Sequence, residues 1–405
     1  MGIPGLFATV VLFVVTSPCT TTASSATDDQ LDNAVPGLCS LASVMHPAYK
    51  CEEYHVVTGD GYIISMSRFP EGWNGKGVGR NKQPVLLQHG LLVDGMTWLL
   101  NSAKESLALI LADHDYDVWI ANTRGTRFSR RHLYLDPSDK EFWDWTWDDL
   151  VTHELSATID FVFKNTGRKI HYVGHSLGTL TALAAFSEGR QVDKVKSAAL
   201  LSPIAYISHI TTALGTLAAK FFVGEITNLL GIAEFDPIGK PVSNILGVLC
   251  ANPGVDCSDL ITAITGPNCC VDSSTVDNFL KNEPQSTATK NMVHLAQTVR
   301  NGKLEKYNYG NVLSNWEHYG VFSPPAYSLS NIPKNLPLFL SYGGNDALSD
   351  VNDVQNLLDS LKYHEVDKLS VQYVEDFAHV DFIMGGVTAK NIVYSQVMAF
   401  FKNHH

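Results

Sequence analysis

The sequence predicts an α/β fold: a mostly parallel central sheet covered by helices, with an inserted, mainly helical cap. Three observations predict it. Short apolar runs of strand length alternate with helical patterns, the arrangement that buries a parallel sheet on both faces. One of those runs, Ile170 to Val173, passes through a glycine-flanked turn directly into a helical segment. The alternation stops after Leu201 and resumes only beyond Pro333, so residues 202–333 read as an insertion.

The elements follow in order. Leu6 to Val15 is an apolar stretch of about ten residues, too short to span a bilayer, and Thr16 to Ala26 is mostly small and polar, with cleavage sites after Ala23 or Ala26. Residues 1–26 therefore read as a signal peptide; its start lacks Lys and Arg, so an uncleaved signal anchor is the alternative. The first part of the core, residues 27–201, opens with strands near 53–69. Their link, Thr58-Gly-Asp-Gly-Tyr62, is a hairpin turn and not a phosphate loop, because no helix follows it. Pro84 to Gln88, Val118 to Ala121, Ile170 to Val173 and Ala198 to Leu201 are the expected central strands, with helices over Trp147 to Phe163 and Leu177 to Phe186. Trp143, Trp145 and Trp147, at a helix entry, read as packing residues rather than a lipid-contacting surface. In the insertion, Ala213 to Val223, Ile226 to Ile232, Val242 to Leu249 and Leu260 to Ile264 read as short apolar helices. Phe221, Phe222 and Leu229 are lid candidates, or equally the cap's own core. Residues 334–405 complete the core, with strands Leu336 to Tyr342 and Leu369 to Tyr373 and helices Asp350 to Leu361 and Thr388 to Phe401.

The chemistry concentrates at Gly174-His175-Ser176-Leu177-Gly178. Strand, tight turn and helix in that order form a nucleophile elbow, and the positions two before and two after the serine must be tiny. Both are glycine, which makes Ser176 the candidate nucleophile. A serine hydroxyl is hardly ionised at neutral pH, so an imidazole must take its proton, and a carboxylate must fix that imidazole's tautomer. Asp346, after the apolar run that breaks at Gly343-Gly344, and His379, in the loop after the last strand, fill these roles. The order Ser, Asp, His is that of the α/β-hydrolases. The backbone N–H groups of Leu91 and Leu177 are the candidate oxyanion donors.

Rivals carry duller readings. Asp350 and Asp353 open and face the next helix. His364 sits in a polar segment expected at the surface, and His404 and His405 at a frayed terminus. His89 and His175 read as supporting packing. His153-Glu154 begins like a zinc-protease helix, but Ala157 stands where the second histidine belongs, so no metal is expected there.

Composition agrees with one large catalytic unit. Its 41 acidic against 29 basic residues give a formal charge of −12, which argues against nucleic acid and against strongly anionic membranes. Beyond the leader no apolar run is long enough to cross a bilayer, so no transmembrane anchoring is expected. Of seven cysteines, Cys19 falls in the leader, leaving Cys39, Cys51, Cys250, Cys257, Cys269 and Cys270. An even remainder suggests disulfides, with Cys39 to Cys51 the natural local pair and the other four pairing among themselves. Adjacent Cys269 and Cys270 are expected to reach different partners; a four-cysteine zinc site is the rival. The sequence has no Asn-x-Ser/Thr acceptor.

The stretches Leu86-Leu-Gln-His-Gly-Leu-Leu92, Tyr116 to Gly125, Phe128 to His132, Glu141-Phe-Trp143, Thr158 to Phe161, His171 to Gly178 and His379-Val-Asp-Phe382 together resemble the acid lipase family of gastric and lysosomal lipases and their plant relatives. The likeness spans nearly the whole chain after the leader and weakens between about Ile207 and Pro325. It implies an α/β-hydrolase fold, lipase activity on triacylglycerol through Ser176, Asp346 and His379 with Leu91 and Leu177 as oxyanion positions, and no cofactor. Leu177 departs from the glutamine often found there in animal members. The implied partner is a lipid ester at an oil–water or micelle interface, and the implied destination the extracellular space, lysosome or vacuole. A sterol-ester or general carboxylesterase is the alternative within enzymes, and a catalytically silent binding module the alternative outside them.

Overall fold

The computed structural model describes residues 36–75, 81–212, 231–240, 242, 244 and 260–404. Its strands, in chain order, are β1 (Glu52–Val57), β2 (Ile63–Phe69), β3 (Gln83–Gln88), β4 (Tyr116–Ala121), β5 (Ile170–His175), β6 (Val195–Leu201), β7 (Glu234–Phe235), β8 (Thr287–Ala288), β9 (Leu338–Gly343) and β10 (Leu369–Val374). An eight-stranded sheet runs β1-β2-β4-β3-β5-β6-β9-β10. β1 pairs antiparallel with β2 and β2 with β4, while every pairing from β4 to β10 is parallel.

The expected hairpin turn is present: Thr58 N donates to Tyr62 O at 2.8 Å and Tyr62 N to Thr58 Oγ1 at 2.9 Å, with Gly61 at φ +97°. β3, β4 and β5 are buried at every position, because helices cover both faces. On one face Val85, Leu87, Val118 and Ile120 pack with Leu107 to Ala112 and Val393 to Phe401; on the other Leu86, Trp119 and Tyr172 pack with Trp147, Leu155 and Leu180.

The longer helices among the described residues are α1 (Leu38–Met45), α2 (Leu107–Asp113), α3 (residues 147–166), α4 (Leu177–Ser187), α5 (Leu260–Thr265), α6 (Ser273–Asn282), α7 (Thr289–Asn301), α8 (Val312–Tyr319), α9 (Val351–Ser360) and α10 (Ser395–Asn403). α3 starts at Trp147–Asp149 under a Thr146/Asp149 capping box, passes through a π turn at Leu150–Glu154 and continues as Leu155–Thr166. Gly167, at φ +65°, ends it in the left-handed conformation that a Cβ disfavours. Glu154 in the π turn accepts from buried Arg124 at 3.0 Å, and Arg124 also binds Asp60. Glu154 thus neutralises a buried cation. Trp143, Trp145 and Trp147 are buried, as packing residues should be.

Between β6 and β9 the described residues add no strand to the main sheet, only helices and the two-residue ribbon β7–β8. The expected helix at Leu260 is α5; the other three apolar runs, the lid candidates Phe221, Phe222 and Leu229, and Cys250 and Cys257 lie largely or wholly outside the described residues. Among the described residues, no helix is long and apolar enough to cross a membrane.

Two expectations are corrected. Cys269 and Cys270 do not reach different partners; they are bonded to each other. The Asp381 carboxylate accepts both their N–H groups, each at 3.1 Å, and holds the chain in a turn that brings the two side chains together. His364 is buried rather than superficial, with Nε2 bonded to Leu336 O at 2.7 Å. The local disulfide Cys39–Cys51 is present and ties α1 to the start of β1 across a separation of 12 residues. By loop-closure entropy, replacing both by serine should lower stability by about 3 kcal/mol, read as a fall in thermal midpoint.

Candidate active site

The chain runs from β3 outward to β4, then returns to β5 on β3's other side, so the loops after β3 and β5 diverge around a crevice at their carboxyl ends. Ser176 sits at that point. Its backbone is at φ +53°, ψ −119°, a conformation that costs a non-glycine residue roughly 1–3 kcal/mol. Its N–H donates to Leu201 O at 3.2 Å and its carbonyl accepts from Thr179 Oγ1 at 2.6 Å, which fastens the turn. The two glycines are sterically required: a Cβ on Gly174 would lie 2.7 Å from Gly178 O, and one on Gly178 2.5 Å from Gln88 O.

The loop after β3 passes against the serine, since a Cβ on Gly90 would lie 3.0 Å from Ser176 Cβ. Leu91 follows directly. Leu177 opens α4, so its N–H has no acceptor within the helix. His89 braces this loop: its Nε2 accepts from Thr123 N at 2.9 Å, which leaves Nδ1 to donate to Gly90 O at 2.8 Å. Burial holds that imidazole below its ordinary range, hence neutral.

Asp346 and His379 meet. His379 Nδ1 lies 2.9 Å from Asp346 Oδ1 and 3.0 Å from Oδ2, with both residues buried. Asp346 Oδ1 also accepts from Leu348 N at 2.9 Å and Ser349 N at 2.8 Å. Burial alone would raise the Asp346 carboxyl, but His379 and these two N–H donors outweigh it and hold it below the usual carboxylate range. An ionised Asp346 keeps the proton on Nδ1 and frees Nε2 to accept; that Nε2 is buried and unpaired among the described residues.

The histidine loop is tied to the elbow. His175 Nε2 donates to His379 O at 2.9 Å and Ser202 Oγ to the same oxygen at 3.2 Å. Burial, then the neighbouring His379, push His175 down to about 3, so it stays neutral in this role. Both expectations for the neighbouring histidines hold. Residues that sequence reasoning gave no role complete the frame: Thr265 O accepts from His379 N at 3.2 Å and Ala347 N at 3.3 Å, joining the acid and histidine loops. Asp381 accepts from Ala378 N at 2.8 Å besides the two cysteines. Only its place in His379-Val-Asp-Phe382 marked it beforehand. Asp350, by contrast, caps α9 through Asn352 N, and Asp353 accepts from Ser208 and His209.

The arrangement brings together a serine in a strained turn at the start of a helix and a buried histidine paired with a carboxylate, parts that acyl transfer uses. Comparison with known proteins agrees. A family described as a partial α/β-hydrolase lipase region matches residues 43–102, and the α/β hydrolase fold matches residues 83–224. Triacylglycerol lipase 2 of Arabidopsis thaliana is 58% identical over 91% of this chain and 88% of its own length. Human gastric triacylglycerol lipase is 34% identical over 87% of each. A soluble variant of monoglyceride lipase from Saccharomyces cerevisiae shares the fold, at 14% identity and a TM-score of 0.54 over 88% of this chain and 96% of its own. With a relative 58% identical over 91% of its length, the chain belongs to the α/β-hydrolase lipase family.

Proposed function

We propose that this lipase hydrolyses triacylglycerols through a covalent acyl-Ser176 intermediate. His379 Nε2 takes the serine proton as Oγ attacks the ester carbonyl, the Leu91 and Leu177 N–H groups hold the oxyanion, and His379 returns the proton to the departing glyceride alcohol. Water, activated by the same imidazole, then cleaves the acyl-enzyme. The observation that carries this reading is the buried Asp346–His379 pair, whose loop is hydrogen-bonded to the residue preceding the elbow serine. The substrate class rests on the named activity of the plant and gastric relatives.

Residues 202–333 serve as the cap over this site, within a core of residues 27–201 and 334–405, and residues 1–26 as a signal peptide that directs the protein into the secretory pathway. An oil–water interface as the working surface is supported by α8. This helix is capped by Asn311 and ended by Gly320, yet Val312, Leu313, Trp316 and the following Phe322 are 59%, 68%, 53% and 64% exposed. Positions 312, 313 and 316 share one helix face. A formal charge of −12 favours neutral lipid over anionic membrane as the surface that face meets.

The test is hydrolysis of emulsified long-chain triacylglycerol, soluble short-chain esters and a cholesteryl ester by the mature protein. Long-chain triacylglycerol should turn over fastest; preference for the sterol ester would move the substrate and leave the mechanism. Removing the Trp316 ring forfeits roughly 1–2 kcal/mol of interfacial burial, so Trp316→Ser should cut the emulsion rate about tenfold and spare soluble-ester hydrolysis. Equal losses on both substrates would rule out a docking role for α8.

A further inference from the structure

The loop that bears Leu91 is gripped from a distant part of the chain. Asp94 N donates to Glu283 Oε1 at 3.1 Å, and Gln285 N donates to Leu92 O at 2.8 Å. Arg127 joins the two sides: Nε donates to Asp94 Oδ2 at 2.8 Å, Nη2 to Asn282 Oδ1 at 3.2 Å, and its backbone N to Gln285 Oε1 at 3.1 Å. Between these clamps Leu92 stands at φ +59°, a conformation that persists in a leucine only where its surroundings over-determine it. Asp94 is fully buried and Glu283 only 5% exposed.

The charges in this clamp do not balance if both acids are ionised. Of these two buried carboxyl groups only Asp94 is bonded to a guanidinium among the described residues, that of Arg127, which acts on Glu283 through charge alone. His89, on the same loop, is neutral. Arg130 is occupied by Glu234, and Lys281 and Asp236 line the cavity of about 490 Å³ beside the clamp. Glu283 Oε2 is buried with no hydrogen-bond partner among the described residues. A carboxylate oxygen so placed loses its hydration without compensation, whereas a neutral acid loses far less.

We infer that Glu283, while protonated, is a positioning residue for the oxyanion loop, fixing Asp94 and through it Leu92 and Leu91, and that ionisation of Glu283 loosens this grip. The inference rests on the reading of Leu91 N–H as an oxyanion donor. Burial, then the Asp94 carboxylate, drive Glu283 well above the ordinary carboxylate range. A raised folded-state value means that the clamp and the stability it contributes are complete in acid, below the unfolded-state value, and are lost as pH rises through the folded-state value. Oxyanion stabilisation acts on the transition state, so the loss should appear in kcat rather than KM.

The experiment is the pH profile of kcat and KM on a soluble short-chain ester for wild type, Glu283→Gln and Glu283→Ala, with Ser176→Ala as control and thermal midpoints for each. Glu283→Ala should lower kcat about 10- to 100-fold with KM nearly unchanged. The glutamine amide can accept from Asp94 N and donate as a protonated acid does, but cannot ionise. Glu283→Gln should therefore recover most of the alanine variant's loss, and its alkaline decline should lie about one pH unit or more above that of wild type. Alkaline limbs that superimpose, beside an inactive Ser176→Ala, would overturn the positioning role and leave the triad standing. Activity retained by Ser176→Ala would overturn both readings. Should Glu283→Ala fail to fold, the glutamine profile alone decides.

Discussion

Replacing Ser176 by alanine is expected to lower ester hydrolysis about 10⁶-fold while the fold stays intact. The elbow is held through the backbone of this residue, its N–H by Leu201 O and its carbonyl by Thr179 Oγ1, and among the described residues the hydroxyl takes no part in that turn. Alanine pays the same cost at φ +53° as serine, and the close passages at Gly174 and Gly178 are unchanged. The thermal midpoint should therefore move by less than a few degrees, so lost activity cannot be ascribed to unfolding. What remains is the background that binding and the proposed oxyanion donors supply. A fluorophosphonate should add its mass to wild type and not to the variant. If the variant still hydrolyses esters and still takes the label, the nucleophile is another residue, and the acyl-Ser176 intermediate falls with it.

Much of this site was legible in the sequence because its parts are local. Apolar runs such as Ile170 to Val173 are strands because nothing but a two-faced interior accommodates them, and Gly174-His175-Ser176-Leu177-Gly178 encodes its own turn geometry. Asp346 and His379 each follow a run that ends in a loop at the sheet's carboxyl edge, and parallel pairing brings those edges together. What the sequence hid is long-range and polar. Glu283 meets Asp94 across 189 positions, and no periodicity announces a partner at that distance. Asp381 likewise braces Cys269 and Cys270 from 112 and 111 positions away, a partner that the sequence around the adjacent pair does not announce, and the strain of a vicinal bridge argued for separate partners. His364 sits among polar neighbours in sequence, yet it is buried, with Nε2 bonded to Leu336 O. Composition reports average exposure and carries no record of a single hydrogen bond.

Asp346→Asn should lower kcat about 10⁴-fold with little effect on KM. The substitution is nearly isosteric, and the structure dictates how the amide sits. Leu348 N and Ser349 N both donate to Oδ1, so the amide oxygen must take that place, since an NH₂ there would face two donors. The NH₂ then occupies the Oδ2 position, 3.0 Å from His379 Nδ1. There it donates to Nδ1 and favours the tautomer with its proton on Nε2, the atom that has to accept the serine proton. The negative charge that would stabilise the imidazolium is lost as well. A purely structural aspartate would predict neither effect. Linkage gives a second readout: the wild-type carboxyl is held below its ordinary range, so the stability it contributes is present above the unfolded-state value and is lost as pH falls through the folded-state value. Asparagine has no such proton to bind, so the variant's stability should lose this acid-side dependence. A variant that keeps wild-type kcat would take Asp346 out of the triad and require another carboxylate to orient His379.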